Sequence, residues 1–432
     1  MSDNREIRIK VPVLTRVEGE GALELDLLNG AIENLKLRIF EPPRLFEKFV
    51  EGYERDQVID MVARICGICP VAYQMSAVQA FERLSDFTPG RWVREMRRVM
   101  YCGEWLQSHA LHIHLLAAPD FLGFESAIAM AADYPDAVRR GLRLQTLGND
   151  LIALFGGRSV HPVGICVGGF YRAPELKAVE AILQRLRAAL PEAEALVAWT
   201  SALDFPDDEQ SFISVALSDP EEYAIDRGNL VSGQGLDTDI RYFESHFKEV
   251  QSPHSTAFHS ELDGRPYLTG PLARLNLNFH QLPEPVRRAM DGCGIVFPSH
   301  NMFHSIVARA LELYFALFEA VRLLEHYQAP QRSREEVTPV EGNAFGCTEA
   351  PRGILWHRYD VDDRGIVRYA RIVPPTSQNQ GRIEEDIRLS LEKMGLDREE
   401  EEIRLRAEQV IRNYDPCISC ATHFLRLKIS HR

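Results

Sequence analysis

Arg64-Ile65-Cys66-Gly67-Ile68-Cys69-Pro70 near the beginning of the chain and Asp415-Pro416-Cys417-Ile418-Ser419-Cys420-Ala421-Thr422-His423 near its end decide how the rest is read. Each stretch carries a C-x-x-C pair. Pro70 suits the first turn of a helix after Cys69, and Asp415 followed by Pro416 predicts a cap and first position for a helix carrying Cys417 and Cys420. Both pairs are therefore expected at helix N-termini, where the backbone dipole favours negative charge and Arg64 adds a full positive one. Thiols so placed lose protons easily and act as nucleophiles or metal ligands. Two ligand pairs so far apart in sequence imply one site that closes the fold.

Spacing alone leaves the chemistry open. A thioredoxin-like pair wants a βαβ pattern, which neither flank supplies, and a zinc ribbon sets its pairs about 15–20 residues apart. Four thiolates would still suit zinc or an iron–sulfur cluster.

The words around the cysteines carry more. Together with Thr15-Arg16-Val17-Glu18-Gly19, Gly156-Gly157-Arg158-Ser159-Val160-His161-Pro162, Gly270-Pro271-Leu272-Ala273-Arg274, Glu349-Ala350-Pro351-Arg352-Gly353 and Pro375-Thr376-Ser377-Gln378-Asn379, they run in order along nearly the whole chain. This set resembles the large subunit of nickel–iron hydrogenases. The resemblance implies an α+β, mainly helical fold: a central bundle of long helices, an N-terminal β-hairpin region and a peripheral lobe of short strands. It also implies one large-subunit domain over 1–423, β-rich in 1–40, helical in 45–200 and 300–330, with the lobe at 205–270. Two positions depart from the pattern: Tyr73 and Glu20 stand where family members often have histidine.

Composition is compatible with that reading. The 432 residues are 45% hydrophobic and 26% charged, an ordinary globular balance able to bury a large core. The formal charge of -14 argues against a nucleic-acid-binding face and against adhesion to anionic membrane. Eight cysteines in a chain of this length form no dense disulfide framework. Cys102, Cys166, Cys293 and Cys347 read as buried free thiols, which fits a reducing compartment. The polar start, Met1-Ser2-Asp3-Asn4-Arg5, lacks the apolar core of a signal peptide. No stretch has the apolar length of a membrane span, and Leu313–Phe318 is flanked by Glu312 and Glu319. A cytoplasmic location is expected.

Along the chain, Leu23, Leu25 and Leu27 alternate with polar neighbours, Asn29-Gly30 is a two-residue hairpin turn, and Ile32, Leu35, Leu37 and Ile39 form the return. Leu45–Ala63 reads as helix, carrying Glu47 toward the first cysteine pair. Helices are predicted from Pro70 to Ala118, interrupted at Thr88-Pro89-Gly90, then over Tyr134–Phe155 and Ala173–Trp199, with the glycine-rich Gly156–Phe170 as a loop. His109 and His112 share one helical face; with no third ligand in view, they read as packing or surface residues rather than a metal site. Val307–Tyr327 is apolar on most faces and belongs inside a bundle. A hairpin is predicted over 353–373, followed by helices Ile383–Met394 and Arg398–Ile411. Glu399–Glu402 reads as a solvated face near a helix start.

The resemblance assigns chemistry to named positions. Heterolytic cleavage of H2 needs a Lewis-acidic metal and a nearby base. Cys66, Cys69, Cys417 and Cys420 are implied to bind nickel, with Cys69 and Cys420 bridging to iron that carries carbon monoxide and cyanide. Glu18 is implied to move protons beside the thiolate of Cys417, and Arg352 to hang over the open metal face. Pro351 and Pro374 would wall the iron ligands, with Arg352 and Thr376 donating to the cyanides. Glu47, the Ile372 carbonyl and His423 are implied to hold magnesium or a similar hard cation. Arg158 and His161 are expected nearby, facing a partner's iron–sulfur cluster.

Electrons would leave through a small iron–sulfur subunit to NAD(P)-reducing diaphorase subunits, because this chain has neither a dinucleotide fingerprint nor cysteines for clusters of its own. Residues 424–432 would be clipped by a maturation endopeptidase after nickel insertion. The most similar branch is the NAD(P)-linked bidirectional type, including the sulfhydrogenases. The rival readings are a nickel-free coupling subunit of a respiratory-type complex and a zinc-stapled scaffold.

Overall fold

The computed structural model describes residues 6–422. Its N-terminal sheet follows from strict alternation: Leu23, Leu25 and Leu27 are buried on one face of Gly21–Leu28, which pairs with Glu6–Val11 on one side and Ala31–Ile39 on the other. Asn29 and Gly30, both at positive φ, make the turn between the second and third strands.

The predicted helix over Leu45–Ala63 is broken. Phe46–Phe49 and Arg55–Val62 are separate helices, and Gly52 lies between them at a φ of 87° that only glycine adopts freely. The later helices match their expected places: Pro70–Leu84, Arg91–Leu111, Pro135–Gly156, Leu176–Ser201 and Ser305–Leu324. Ser305–Leu324 is buried almost all round and packs against Arg91–Leu111 and Leu176–Ser201, the position its apolar faces require. Arg91–Leu111 crosses Pro135–Gly156 closely, because a Cβ on Gly148 would stand only 2.5 Å from the amide of Gln107.

Residues 205–270 hold short strands, including Val215–Ser218, Asn229–Ser232, Phe247–Gln251 and Phe258–Leu262. Val215, Leu217 and Leu230 share an apolar cluster with Ile354, Trp356 and Val373, so this region packs against the sheet that leads into the site. That sheet has three strands, Gly342–Ala350, Gly353–Val361 and Val367–Val373, of which the first was not anticipated. The helix expected from Ile383 instead begins at Pro375 and runs to Met394. Pro374-Pro375 ends the strand and also starts the helix, since proline at the first helical position loses no hydrogen bond. Glu400–Asn413 follows as expected.

His109 and His112 are both buried and serve packing: His109 Nε2 lies 3.0 Å from Glu312 Oε2, and His112 Nε2 lies 2.8 Å from the Arg412 carbonyl.

Candidate metal centre

The two cysteine stretches meet. Cys66, Cys69, Cys417 and Cys420 are all buried, and their sulfurs lie within 4.8 Å of one another. The Cys66 and Cys417 sulfurs are 3.6 Å apart, those of Cys69 and Cys66 are 2.8 Å apart, and those of Cys417 and Cys420 are in bonding contact. Four sulfurs drawn into one dry cluster are a donor set for soft metals.

Each pair is held differently. Cys69 caps the Pro70–Leu84 helix, as expected. Cys417 is on no helix: the only helical turn there is Ser419–Thr422, so Asp415 and Pro416 do not cap and start one. Asp415 instead adopts a left-handed φ of 52° and takes an ion pair from Arg352, with Nε 3.0 Å from Oδ2. Arg64 does not face the thiols either. It is exposed and pairs with Asp60 one turn away.

The positive charge comes from elsewhere. Arg352 is fully buried, and its Nη1 has no hydrogen-bond partner among the described residues. Burial pushes this guanidinium's pKa down, but Asp415, then Cys69 and Cys66, pull it well up. Arg44 clamps the two stretches together, donating to the carbonyls of Ile65 and Ser419 while its own amide donates to Thr422.

The thiols do not all become acidic. Burial raises the Cys66 pKa, but hydrogen bonding from Cys69 and the charge of Arg352 bring it below the ordinary thiol value. For Cys69, burial and its hydrogen bond and charge interaction with Cys66 act upward together, and its pKa lies well above the usual range. The helix dipole is outweighed there. Glu104 adds to this: its carboxylate accepts from the amides of Val71 at 2.6 Å and Ala72 at 3.1 Å, filling the helix N-terminus beside Cys69.

Glu18 lies against the late cysteine pair. Its Oε2 lies 3.1 Å from Cys417 Sγ and 3.2 Å from the Ser419 amide, while its carbonyl accepts from the Ile418 amide at 2.9 Å. Gly19 makes this approach possible, because a Cβ there would lie 2.8 Å from Ile418 Cβ and 2.9 Å from the Ser419 amide. Thr376 Oγ1 accepts from the Cys417 amide at 2.9 Å. Pro351 and Pro374 are buried, the first adjoining Arg352 in sequence and the second two residues before Thr376.

Glu47 Oε1 accepts from the Ile372 amide at 2.7 Å, a contact through the N–H of Ile372 and not its carbonyl. His423 lies outside the described residues, as do residues 424–432. Arg158 Nε donates to the His161 carbonyl at 2.7 Å, and His161 Nδ1 lies 2.8 Å from the Ala63 carbonyl, so His161 braces the chain leading to Cys66. Tyr73 is fully buried, and its hydroxyl has no hydrogen-bond partner among the described residues.

Behind Arg352, two of the matched sequence stretches interlock. Arg274 pairs with Glu312 at 2.7 Å and Glu349 at 3.0 Å, and donates to the carbonyls of Ala350 and Pro351. Burial raises the Glu312 pKa, but Arg274 and His109 bring it to about 2; for Glu349 burial prevails and its pKa rises to about 7. The sequence reading gave Asp415 only as a helix cap, and Glu104, Arg44 and the Arg274 network were absent from it. Only the GPLAR and EAPRG stretches hinted at the last of these.

Fold and site together define a protein built around a buried cluster of four cysteine sulfurs, a donor set for soft metals. The nickel-dependent hydrogenase family matches residues 44–139 and 238–423. The chain is 32% identical over 428 residues to the sulfhydrogenase 1 alpha subunit of Pyrococcus furiosus, covering 98% of this chain and 100% of that one. It is 27% identical to the beta subunit of the NAD-reducing hydrogenase HoxS of Cupriavidus necator, covering 97% and 95%. The fold matches a solved NAD+-reducing nickel–iron hydrogenase in its H2-reduced state with a TM-score of 0.87 at 24% identity, over 96% of this chain and 99% of the other. A nickel–iron–selenium hydrogenase from Desulfovibrio vulgaris Hildenborough matches with a TM-score of 0.81 at 22% identity, covering 97% and 100%. The chain belongs to the nickel-dependent hydrogenase family, as a large subunit of the nickel–iron type. The four-cysteine donor set and the unpartnered Arg352 donor beside it fit the metal centre of that family.

Proposed function

We propose that this chain is the catalytic subunit of a cytoplasmic, NAD(P)-linked hydrogenase that cleaves and forms H2 reversibly. The observation that carries the reading is the convergence of four buried sulfurs with the Glu18 carboxylate 3.1 Å from one of them. When bound, the nickel–iron centre supplies the Lewis acidity that polarises H2. Cys66, Cys69, Cys417 and Cys420 would hold it, with carbon monoxide and cyanide as further ligands.

The chain's own groups do the rest. Cys417 holds a proton at Sγ, and Glu18 Oε2 receives it, because a buried proton needs a carboxylate at hydrogen-bond distance to leave. Arg352, whose charge acts on Cys69 and Cys66, keeps an Nη1 donor unused among the described residues, and Thr376 Oγ1 steadies the Cys417 amide. Glu47, the Ile372 carbonyl and His423 would hold magnesium or a similar hard cation. Electrons pass to a small iron–sulfur subunit and then to NAD(P)-reducing subunits, a reading supported by the names of the sulfhydrogenase and NAD-reducing relatives. An endopeptidase removes residues 424–432 once nickel is in place.

Infrared absorption by metal-bound carbon monoxide and cyanide, with nickel and iron in the protein and H2-dependent reduction of NAD(P) by the complex, is the expected result. A protein containing zinc alone, with no such bands, overturns the reading in favour of a scaffold. The mass of the matured chain, ending at His423 rather than Arg432, tests the processing step.

A further inference from the structure

A second convergence of metal-binding side chains lies apart from the cysteines. His254 sits in the turn after the Phe247–Gln251 strand, His259 lies in the Phe258–Leu262 strand, and Glu384 projects from the Pro375–Met394 helix. One ligand atom from each falls within 4.8 Å of the others. His254 Nε2 is 2.8 Å from Glu384 Oε1, and His259 Nε2 is 3.4 Å from Oε2. The Leu37 amide donates to Glu384 Oε1 at 2.8 Å and fixes the carboxylate from the N-terminal sheet.

His259 is the telling member. Its side chain is 9% exposed, yet neither ring nitrogen makes a hydrogen bond among the described residues; the approach to Glu384 has the distance of an ion pair but not hydrogen-bond geometry. A buried imidazole offers one donor and one acceptor, so leaving both unused is unfavourable. Its Nε2, 3.4 Å from Glu384 Oε2, faces a carboxylate that a second imidazole already engages at 2.8 Å. A cation among them would occupy all three.

We propose that His254, His259 and Glu384 form a mononuclear site for a borderline-soft dication such as Zn(II), distinct from the cysteine centre and from the Glu47 and Ile372 pair. Two imidazoles and a carboxylate, with one position left to water, are a recurring donor set for zinc. Metal–ligand bonds of about 2.1 Å in a tetrahedron separate ligand atoms by about 3.4 Å, so side-chain adjustment alone closes the site. His254 and Glu384 are each 19% exposed, which leaves a path for the ion and room for the water. The bound ion would staple the hairpin of the short-stranded region to the helix whose first turn carries Thr376.

The test uses the purified hydrogenase assembly with its cysteine centre already loaded, titrated with Co(II). One further equivalent is expected, with visible d–d absorption and no sulfur-to-cobalt charge transfer. Glu384→Gln, which keeps an acceptor for the Leu37 amide, and His254→Gln are each expected to weaken binding by at least about tenfold, since even outer-shell partners of metal ligands are worth that much. H2 turnover should persist in both. Zn(II) should raise the thermal midpoint of the parent protein and not of the variants. Charge-transfer absorption from cobalt on sulfur alone, an unchanged cobalt affinity in both variants, or no midpoint shift with Zn(II) overturns the proposal.

Discussion

Arg352 grips Asp415 at two levels, donating from Nε to its backbone carbonyl at 2.6 Å and from Nη2 to its carboxylate at 3.1 Å. Burial raises the Asp415 pKa, but Arg352 and His112 bring it below the usual carboxylate range. The pair holds the left-handed backbone turn from which Cys417 enters the cluster, so one arginine positions the segment that carries the late sulfurs.

Removing one partner of a buried ion pair strands the other charge and costs about 3–5 kcal/mol. Asp415→Ala should lose stability on that scale and bind less nickel and iron, as read by denaturant unfolding and metal analysis. Arg352→Lys keeps the charge but cannot span both acceptors. It should retain more metal than Asp415→Ala while losing most turnover. An unchanged unfolding midpoint in Asp415→Ala would remove the pair from this role.

Glu18→Gln preserves the shape and the acceptor for the Ser419 amide but cannot carry a proton. H2 turnover is expected to fall by about 100- to 10,000-fold, with nickel and iron content and the infrared bands unaltered. Glu18→Asp should recover part of the rate. If the glutamine variant turns over normally, the exit route for protons lies elsewhere.

Gly19→Ala combines a φ of 89° with a Cβ only 2.6 Å from Glu41 Oε1 and 2.8 Å from Ile418 Cβ. Backbone strain of this kind costs about 1–3 kcal/mol, and the clash should also push the Cys417–Cys420 segment outward. Gly30→Ala is the control, having a φ of 78° and nothing within 4 Å of the added atom. Both variants should lose stability, but only Gly19→Ala should lose metal.

Acid should weaken the protein in two stages. Burial lowers the pKa of His109 to about 4, and of His112 and His114 to about 3. Unfolded imidazoles take up protons near pH 6.5, so the unfolded chain binds protons that the folded one refuses, and stability falls from about pH 6.5 down toward 4 and 3. Glu312, with its pKa lowered to about 2, contributes stability that is present above the ordinary carboxylate range and disappears as pH drops through it toward 2. His114 is the clean case, since its Nδ1 donates to the Ala110 carbonyl at 2.9 Å and its Nε2 accepts from Arg140 at 3.1 Å, which holds the ring neutral. His114→Phe should flatten the upper stage of a midpoint-against-pH curve. An equally steep curve in that variant would mean another group titrates there.

Much of this molecule was already determined by its order of residues. The alternation of Leu23, Leu25 and Leu27, the Asn29-Gly30 turn and the all-round apolarity of Ser305–Leu324 specify elements through local periodicity, and the sulfur-bearing words and the Thr15–Gly19 stretch name four sulfurs and a carboxylate that the fold brings together. Where a boundary was misjudged, as at Gly52 and Pro375, one residue admitted two readings that only packing distinguishes. The tertiary structure alone decided which charges serve the thiols. Arg64, four residues from its partner Asp60, is spent locally on an exposed face, whereas Arg44 reaches Ser419, and Arg352 reaches Asp415, across large sequence separations. No periodic pattern encodes such a meeting, because what selects the partner of a buried charge is the loss of water around it. That loss exists only once the two ends of the chain have been brought together.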